Sequence, residues 1–421
     1  MTYGEATSYI FEQHAAFERS GSGAYKPGLE RTLALSRAFG DPHRQLACVH
    51  IAGTNGKGTT AHTIAAALSA AGYRTGLYTS PHISDFAERI AVDGNYISHE
   101  AVVDFVERYR AAALESLGAS FFELSTVMAF EHFRREHVDV AVVEVGLGGR
   151  LDSTNIITPV LSVVTNISLD HTDLLGNTIE EIAREKAGIF KREVPVVAGE
   201  ADDRVRHVFE REARLAGTDV VYACDRKDIA VRSERDSSVA VTESPFGAFS
   251  TALRGSFQLA NVRTVICALD KLRGLGYDIS DEAVRRAFGN VTRTLHGRWE
   301  IIDGVLCDTG HNAAAWEHTA AYLAGRGDIT VIIGFCADKD VDSIVAMLPH
   351  NPRYICVQAS TPRAIPATEL AAMLQARSLR AVASKSVISA VDTARRQSGE
   401  VFLGGSFYVI ADWLKKSCAD N

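Results

Sequence analysis

The chain has 421 residues and a formal net charge of −8, with 46% hydrophobic and 23% charged residues. These are the proportions of a soluble globular protein: they exclude a disordered or fibrous chain and give nucleic-acid binding no basic footprint. The length exceeds a typical single core and predicts two domains, with three as the upper alternative.

Helical spacing over 3–18, carried by Ile10, Phe11, Ala15 and Phe17, and over 30–39, carried by Leu33, Leu35 and Phe39, predicts two helices. Between them Tyr25-Lys26-Pro27-Gly28-Leu29-Glu30-Arg31 reads as a Pro-Gly turn that opens the second helix. The strand Val49 to Ala52 then enters Gly53-Thr54-Asn55-Gly56-Lys57-Gly58-Thr59-Thr60, a glycine-rich turn leading into a helix over 57–71. Backbone N–H groups there can converge on an anion at a helix N-terminus, Lys57 adds a full charge, and Thr59 or Thr60 offers a hydroxyl to Mg²⁺. The stretch reads as a phosphate-binding loop. Its spacing departs from the common Walker A pattern, since Gly53 stands three residues before Gly56 and Gly58 separates Lys57 from Thr59. A plain glycine turn would explain the glycines but not Asn55, Lys57 and two threonines in register.

Thr75 to Tyr78 returns as a strand, completing a βαβ unit and predicting a parallel sheet. It ends at Thr79-Ser80-Pro81-His82, a turn, with Glu88-Arg89-Ile90 shortly after. Helices are expected over 99–117 and 122–136, the second opening at Phe121-Phe122-Glu123, where Phe122 reads as core on composition. Val138 to Val145 is an apolar run holding Glu144, followed by Gly146-Leu147-Gly148-Gly149-Arg150-Leu151-Asp152-Ser153-Thr154-Asn155. A buried parallel strand finishing in a carboxylate puts that charge at the carboxyl edge of the sheet, where open α/β folds bind ligands. A metal is one partner for it and a loop hydrogen bond the other.

The strand Val160 to Thr165 leads to Asn166-Ile167-Ser168-Leu169-Asp170-His171-Thr172-Asp173, which reads either as a metal cluster facing Glu144 or as a loop network. A capped helix, Ile182-Ala183-Arg184-Glu185-Lys186-Ala187-Gly188-Ile189-Phe190, follows. Strands and a helix alternate over 194–222, the charged run from Arg204 reading as a solvated helix face. Residues 229–254 alternate polar and β-branched residues and read as a small antiparallel addition. Gly255-Ser256-Phe257-Gln258-Leu259-Ala260-Asn261 opens a helix to about Leu272. A boundary near 290–297 precedes Gly297-Arg298-Trp299-Glu300 and a second alternation. Its strands are expected near 305–307, 330–334, 353–357, 379–383 and 400–403, and its helices near 313–323, 340–348, 367–376, 387–397 and 407–416. The fold class is therefore α/β: a P-loop-type doubly wound domain with a β addition over 1–294, and a smaller Rossmann-like domain over 295–421.

Seven cysteines, at 48, 224, 267, 307, 336, 356 and 418, include no C-x-x-C pair and read as buried apolar residues of a reducing compartment. No run approaches secretory or membrane-spanning length, so a cytoplasmic location is expected.

Gly53-Thr54-Asn55-Gly56-Lys57-Gly58-Thr59 resembles the loop of folylpolyglutamate and dihydrofolate synthases, ATP-dependent amide ligases of the Mur-ligase superfamily. Mur ligases proper usually carry Thr or Ser in place of Gly58. Further segments resemble this family in order along nearly the whole chain. The resemblance implies that Lys26, Pro27, Gly28 and Leu29, Phe121, Phe122 and Glu123, and Leu151, Asp152 and Ser153 border a folate or dihydropteroate site. It implies that Gly53 to Thr60, Asn261, Arg298 and Asp308 bind ATP. It also implies that Thr59, Ser80, Glu144, His171 and a carbamylated Lys186 hold two Mg²⁺, with Lys57, Lys186, His171 and Glu144 in the catalytic set. A lysine paired with Glu185 or Asp170 is the other reading of Lys186. Cys307-Asp308-Thr309-Gly310-His311-Asn312-Ala313 is similar to the family's Asp-x-Ala-His-Asn-Pro, with Gly310 and Ala313 as departures, and places His311 on the glutamate side or the cleft.

The implied activity is glutamylation of folates, and of dihydropteroate as well, by a monomer that uses L-glutamate and ATP without nucleic acid or membrane; a monovalent cation is a further candidate. Two rivals stand beside it. A cell-wall ligase of the Mur type would need a UDP-binding domain ahead of the loop, and a P-loop switch protein would leave Glu144, His171 and the second domain without a use.

Overall fold

Cys48–Ala52 and Val140–Glu144 are buried at every position, as strands of a parallel sheet covered on both faces must be. A computed structural model describes residues 1–14, 26–234, 237–397 and 399–419, and these form two compact units, Met1–Leu253 with Gln258–Leu295 and His296–Asn421 with Arg254–Phe257. The expected boundary at 294/295 lies one residue from the break at 295/296. Among the described residues no helix is long and apolar enough to cross a membrane.

The first unit is built on strands β1 (Cys48–Ala52), β2 (Thr75–Tyr78), β3 (Ile90–Val92), β4 (Asn95–Tyr96), β5 (Val140–Glu144), β6 (Leu161–Val164), β7 (Val196–Ala198) and β8 (Val220–Tyr222), in the order β4-β3-β2-β5-β1-β6-β7-β8. From β2 to β8 neighbours run parallel, while β3 and β4 add an antiparallel edge. The chain leaves β1 for β2 and β5 on one side, then crosses to β6, β7 and β8 on the other. The carboxyl end of β1 is therefore a topological switch point, where a crevice opens.

One face is covered by helices α1 (Tyr3–Gln13), α2 (Glu30–Ala38), α4 (His99–Ala111) and α5 (Phe121–Arg135). The other is covered by α3 (Lys57–Ala70), α8 (Gln258–Gly274) and α9 (Asp281–Asn290). Helices α6 (Ile179–Ala187) and α7 (Asp203–Ala216) pack on each other and on β6 and β7 through Ala183, Ile189, Phe190, Val205, Val208 and Phe209. Strands β9 (Ala230–Ser233), β10 (Ser238–Glu243) and β11 (Phe249–Arg254) form the separate three-stranded sheet.

The second unit carries β12 (Arg298–Ile302), β13 (Val305–Asp308), β14 (Ile329–Ile333), β15 (Arg353–Cys356), β16 (Ala381–Ala383) and β17 (Glu400–Gly404), ordered β12-β13-β17-β14-β15-β16 with only β12 antiparallel. All three tryptophans, Trp299, Trp316 and Trp413, lie in this unit and are buried.

Four expectations need correction. The helix expected over 99–117 stops at Ala111, because Ala113 takes φ 51° and Leu114–Leu117 continues as a 3-10 turn. The helix expected from Ile182 starts at Ile179, where Thr178 and Glu181 form a capping box. Of the helix expected over 3–18, α1 accounts for 3–13; Ala15 and Phe17 lie outside the described residues. Cys48, Cys267, Cys307, Cys336 and Cys356 are buried and free, but Cys224, also free, is exposed in a turn beside Arg206.

Candidate active site

β1 brings the chain to Gly53 at the switch point, and Gly56 closes the loop as the N-cap of α3. Gly56 has φ 83°, and a Cβ on it would stand 2.0 Å from Asn261 Oδ1, so both the backbone and the space demand glycine. The loop is held from behind by the residues that follow β6. Thr54 N–H donates to Asn166 O at 2.9 Å, Asn55 N–H donates to Asn166 Oδ1 at 3.0 Å, and the Thr165 hydroxyl donates to Asn55 O at 2.6 Å. Thr165 and Asn166 were missed as loop supports, since only their position after a strand pointed to them.

Lys57 Nζ donates to Gly53 O at 3.0 Å and to Thr54 O at 3.1 Å. The buried Lys186, on α6, donates from Nζ to the same Gly53 O at 2.9 Å. Two lysines thus meet at one carbonyl. Burial first and the Lys57 charge second push Lys186 down to about 7, against the pull of Asp170 and Asp152. The Thr59 hydroxyl accepts from Gln258 Nε2 at 3.4 Å, Gln258 Oε1 accepts from Asn261 Nδ2 at 2.8 Å, and the buried Thr60 Oγ1 has no hydrogen-bond partner. First-turn N–H groups of a 14-residue helix, a glycine cradle and Lys57 together fit the phosphates of a nucleotide.

Glu144 ends β5, level with Ile51 of β1, and is buried with Oε2 accepting the Ser80 N–H at 3.1 Å. His171 takes φ 51° ahead of the one-turn helix Thr172–Leu175, with Nε2 3.8 Å from Asp170 Oδ1. Asp173 is exposed. Among the described residues no group of three or more His, Cys, Asp or Glu side chains is gathered as a metal site. The expected cluster of Glu144 with Asp170, His171 and Asp173 is therefore not assembled from those side chains alone, and Asp170 and His171 lie together as the loop pair. The hydroxyls of Thr59 and Ser80 and the carboxylate of Glu144 are hard oxygen donors, the chemistry Mg²⁺ takes.

The segments expected at the folate side meet one another. Helices α2 and α5 and the 3-10 turn Ser153–Ile156 pack together. Arg31 Nε donates to Glu123 Oε1 at 3.1 Å while its Nη2 donates to Lys26 O at 2.7 Å, and Lys26 Nζ donates to Gly118 O at 2.9 Å. Pro27 is exposed, and Leu29 is the N-cap of α2. The buried Glu123 also closes the α5 capping box by accepting the Ser120 N–H at 2.7 Å. Phe121 is core, stacked on Phe11 at 4.4 Å beneath the Arg89 guanidinium. Phe122 is half-buried against Gly146, where a Cβ would stand 2.4 Å from its Cζ. Asp152 is a loop clasp: Oδ2 accepts the Leu147 N–H and Oδ1 the Thr154 N–H, each at 2.9 Å.

In the second unit Asp308 ends β13, its Oδ1 accepting the Gly310 N–H at 2.7 Å and its Oδ2 the Trp299 N–H at 3.3 Å. Burial pushes Asp308 up to about 6, and Arg298, its partner across β12 and β13, pulls the other way. The Arg298 guanidinium lies 5.0 Å from the Phe407 ring centre, and His311, whose Nδ1 is 3.1 Å from Thr309 O, has its own ring 5.8 Å from Phe407.

The family model described as "Mur ligase middle domain" matches residues 51–269, and that described as "Mur ligase, glutamate ligase domain" matches 297–406. The Escherichia coli protein named "Dihydrofolate synthase/folylpolyglutamate synthase" is 34% identical over 402 residues, covering 91% of this chain and 90% of that one. The chain belongs to the folylpolyglutamate synthase/dihydrofolate synthase family. A second relative, the "Probable bifunctional folylpolyglutamate synthase/dihydropteroate synthase" of Haloferax volcanii, is 32% identical over 98% of this chain, which spans only about half (50%) of that protein's length. The solved structure "Crystal structure of bifunctional folylpolyglutamate synthase/dihydrofolate synthase with Mn, AMPPNP and L-Glutamate bound" matches with a TM-score of 0.81 at 28% identity, covering 99% of this chain and 98% of that one. As a folylpolyglutamate synthase/dihydrofolate synthase relative, this chain keeps the fold of that family from end to end.

Proposed function

We propose that the chain is an ATP-dependent ligase that joins L-glutamate to folates, as a folylpolyglutamate synthase, and to dihydropteroate, as a dihydrofolate synthase. The observation that carries this reading is the meeting of Lys57 and Lys186 on the Gly53 carbonyl at the N-terminus of α3, with Glu144 one strand away. Phosphoryl transfer from ATP to a substrate carboxylate supplies the leaving group that a free carboxylate lacks, and the glutamate amine then attacks the acyl phosphate and releases phosphate. Lys57 and the loop amides hold the phosphates in line, which is where a protein lowers the barrier of such a transfer.

Thr59, Ser80, Glu144, His171 and carbamylated Lys186 are proposed to hold two Mg²⁺, which when bound neutralise phosphate and carboxylate charge. Gln258 fixes the Thr59 hydroxyl from below. Asn261, Arg298 and Asp308 are assigned to the nucleotide, His311 to the glutamate side, and the segments around Lys26, Phe122 and Asp152 to the pteroyl group. A monovalent cation is a further proposed requirement, and the enzyme is proposed to act as a monomer. The cell-wall alternative is not favoured, because the relatives carry folate-ligase names.

Purified chain incubated with ATP, L-glutamate and either dihydropteroate or tetrahydrofolate tests the reading. ADP should form only when both glutamate and an acid substrate are present, and each acid should gain one glutamate. ADP release indifferent to both would sink the ligase assignment, and turnover of tetrahydrofolate alone would remove the second activity.

A further inference from the structure

His50 lies in the middle of β1, the central strand that feeds the phosphate loop, and is fully buried. Its Nε2 is 2.8 Å from Thr154 Oγ1, which is in turn 2.5 Å from Asp152 Oδ1. The direction of these bonds follows from the proton count. Asp152 accepts two backbone N–H groups, as a carboxylate does, so the single Thr154 hydroxyl proton goes to Asp152 and the Thr154 oxygen accepts from His50. His50 is then the tautomer protonated on Nε2, and its buried Nδ1, which has no hydrogen-bond partner, is the bare nitrogen. The chain of bonds ends on the Leu147 N–H, in the loop that follows Glu144. The far end of the same loop is tied to α6 by Asn155 Nδ2, which donates to Arg150 O and to Gly188 O, each at 3.0 Å.

We propose that His50 is a positioning residue: through Thr154 it locks Asp152, and with it the 146–153 loop against which the folate-type acid binds. The proposal rests on the functional reading above, which puts Leu151, Asp152 and Ser153 at the acid substrate. A histidine that merely fills the core would affect stability alone. One that orients the loop affects the acid substrate and spares ATP, whose loop is held by Thr165 and Asn166 instead.

His50→Met removes the donor at similar volume, whereas His50→Gln can carry an amide N–H to the same place. Thr154→Val and Thr154→Ser make the same cut and the same repair from the other side, should His50→Met fail to fold. Loss of one buried hydrogen bond predicts that His50→Met and Thr154→Val raise the KM for tetrahydrofolate or dihydropteroate about five- to tenfold, with the ATP KM changed less than about twofold. The Gln and Ser variants should recover most of that loss. The proposal is overturned if the Met and Val variants lower Tm without moving the acid KM, if both KM values rise together, or if Gln and Ser repair nothing. Hydrogen exchange in peptides spanning 145–156 gives an answer without turnover. Faster exchange in Met and Val than in the parent, restored in Gln and Ser, upholds the lock even if the unmodified chain glutamylates nothing, and equal exchange in all five proteins refutes it.

Discussion

Lys186 is buried where an ammonium faces Lys57, and in the proposed nucleotide site it would also face the bound cations, so the charge it carries decides what that site can bind. Lys186→Ala should lose roughly ten- to a hundredfold in kcat, as expected for about 1.5–3 kcal/mol from one charge-assisted contact, and a small added carboxylate should restore part of it. Lys186→Arg should remain impaired, because guanidinium keeps its charge and forms no carbamate. Steady-state assays of the two variants check this, and an arginine variant as active as the parent would make the lysine a simple counter-charge. Asp308 makes a prediction of opposite character, in stability against pH. Its carboxyl is raised from 3.8 to about 6 by burial, so the folded second unit holds more protons than its unfolded form across that window. Stability from this group is therefore gained as pH falls through the window and lost as pH rises, by up to about 3 kcal/mol. Asp308→Asn should flatten that slope relative to the parent, as read by hydrogen exchange in peptides of 296–397. Single residues were legible in their placement where a motif constrained several at once, as in Gly53 to Thr60, which run from the end of β1 into α3. Where the decisive partner was distant in sequence they were not: nothing in Val49-His50-Ile51 announces Thr154, and nothing in Glu123 announces that Arg31 and the Ser120 N–H occupy its carboxylate.

Helix α6 reaches the site because its carboxyl end lies flush on the 146–155 loop. Arg150 N–H donates to Glu185 O at 2.8 Å, and a Cβ on Gly188 would stand 2.4 Å from Arg150 Cα. Gly188→Ala should push α6, and Lys186 with it, away from Gly53. Overpacking of this kind costs about 1–3 kcal/mol, so Tm should drop modestly while kcat falls further than stability explains. Measuring both on one preparation separates the effects, and a variant with unchanged kcat would show that α6 tolerates the shift. Elements of this length were readable because burial on both faces leaves apolar runs, as in β5 and β7, and amphipathic spacing marks helices such as α7. The antiparallel edges β3, β4 and β12 were not readable, since strands of two to five residues at a sheet rim carry little periodicity. The break at Ala113 was hidden because an alanine in the left-handed region carries no sequence mark.

The molecule as a whole should respond to nucleotide by mass action, since a ligand that binds only the folded chain adds its binding free energy to stability. ADP with Mg²⁺ at a hundred times its Kd should add about 2.7 kcal/mol and raise Tm. Lys57→Ala should abolish most of that rise while leaving the ligand-free Tm close to the parent's. A thermal scan of both proteins with and without ADP checks this, and an undiminished rise in the variant would remove Lys57 from the phosphate site. The order of domains was legible because the two α/β alternations follow one another, and the four residues Arg254–Phe257 that join the second unit were not, because they sit inside a run that reads as one approach to a helix. The confinement of Trp299, Trp316 and Trp413 to the second unit makes the chain optically asymmetric. Indole emission reports one unit and is silent about the other, whereas peptide circular dichroism sums over both. In a denaturant titration the two signals superimpose only if the units melt as one cooperative body, so the unlabelled protein already contains the comparison that reveals whether they do.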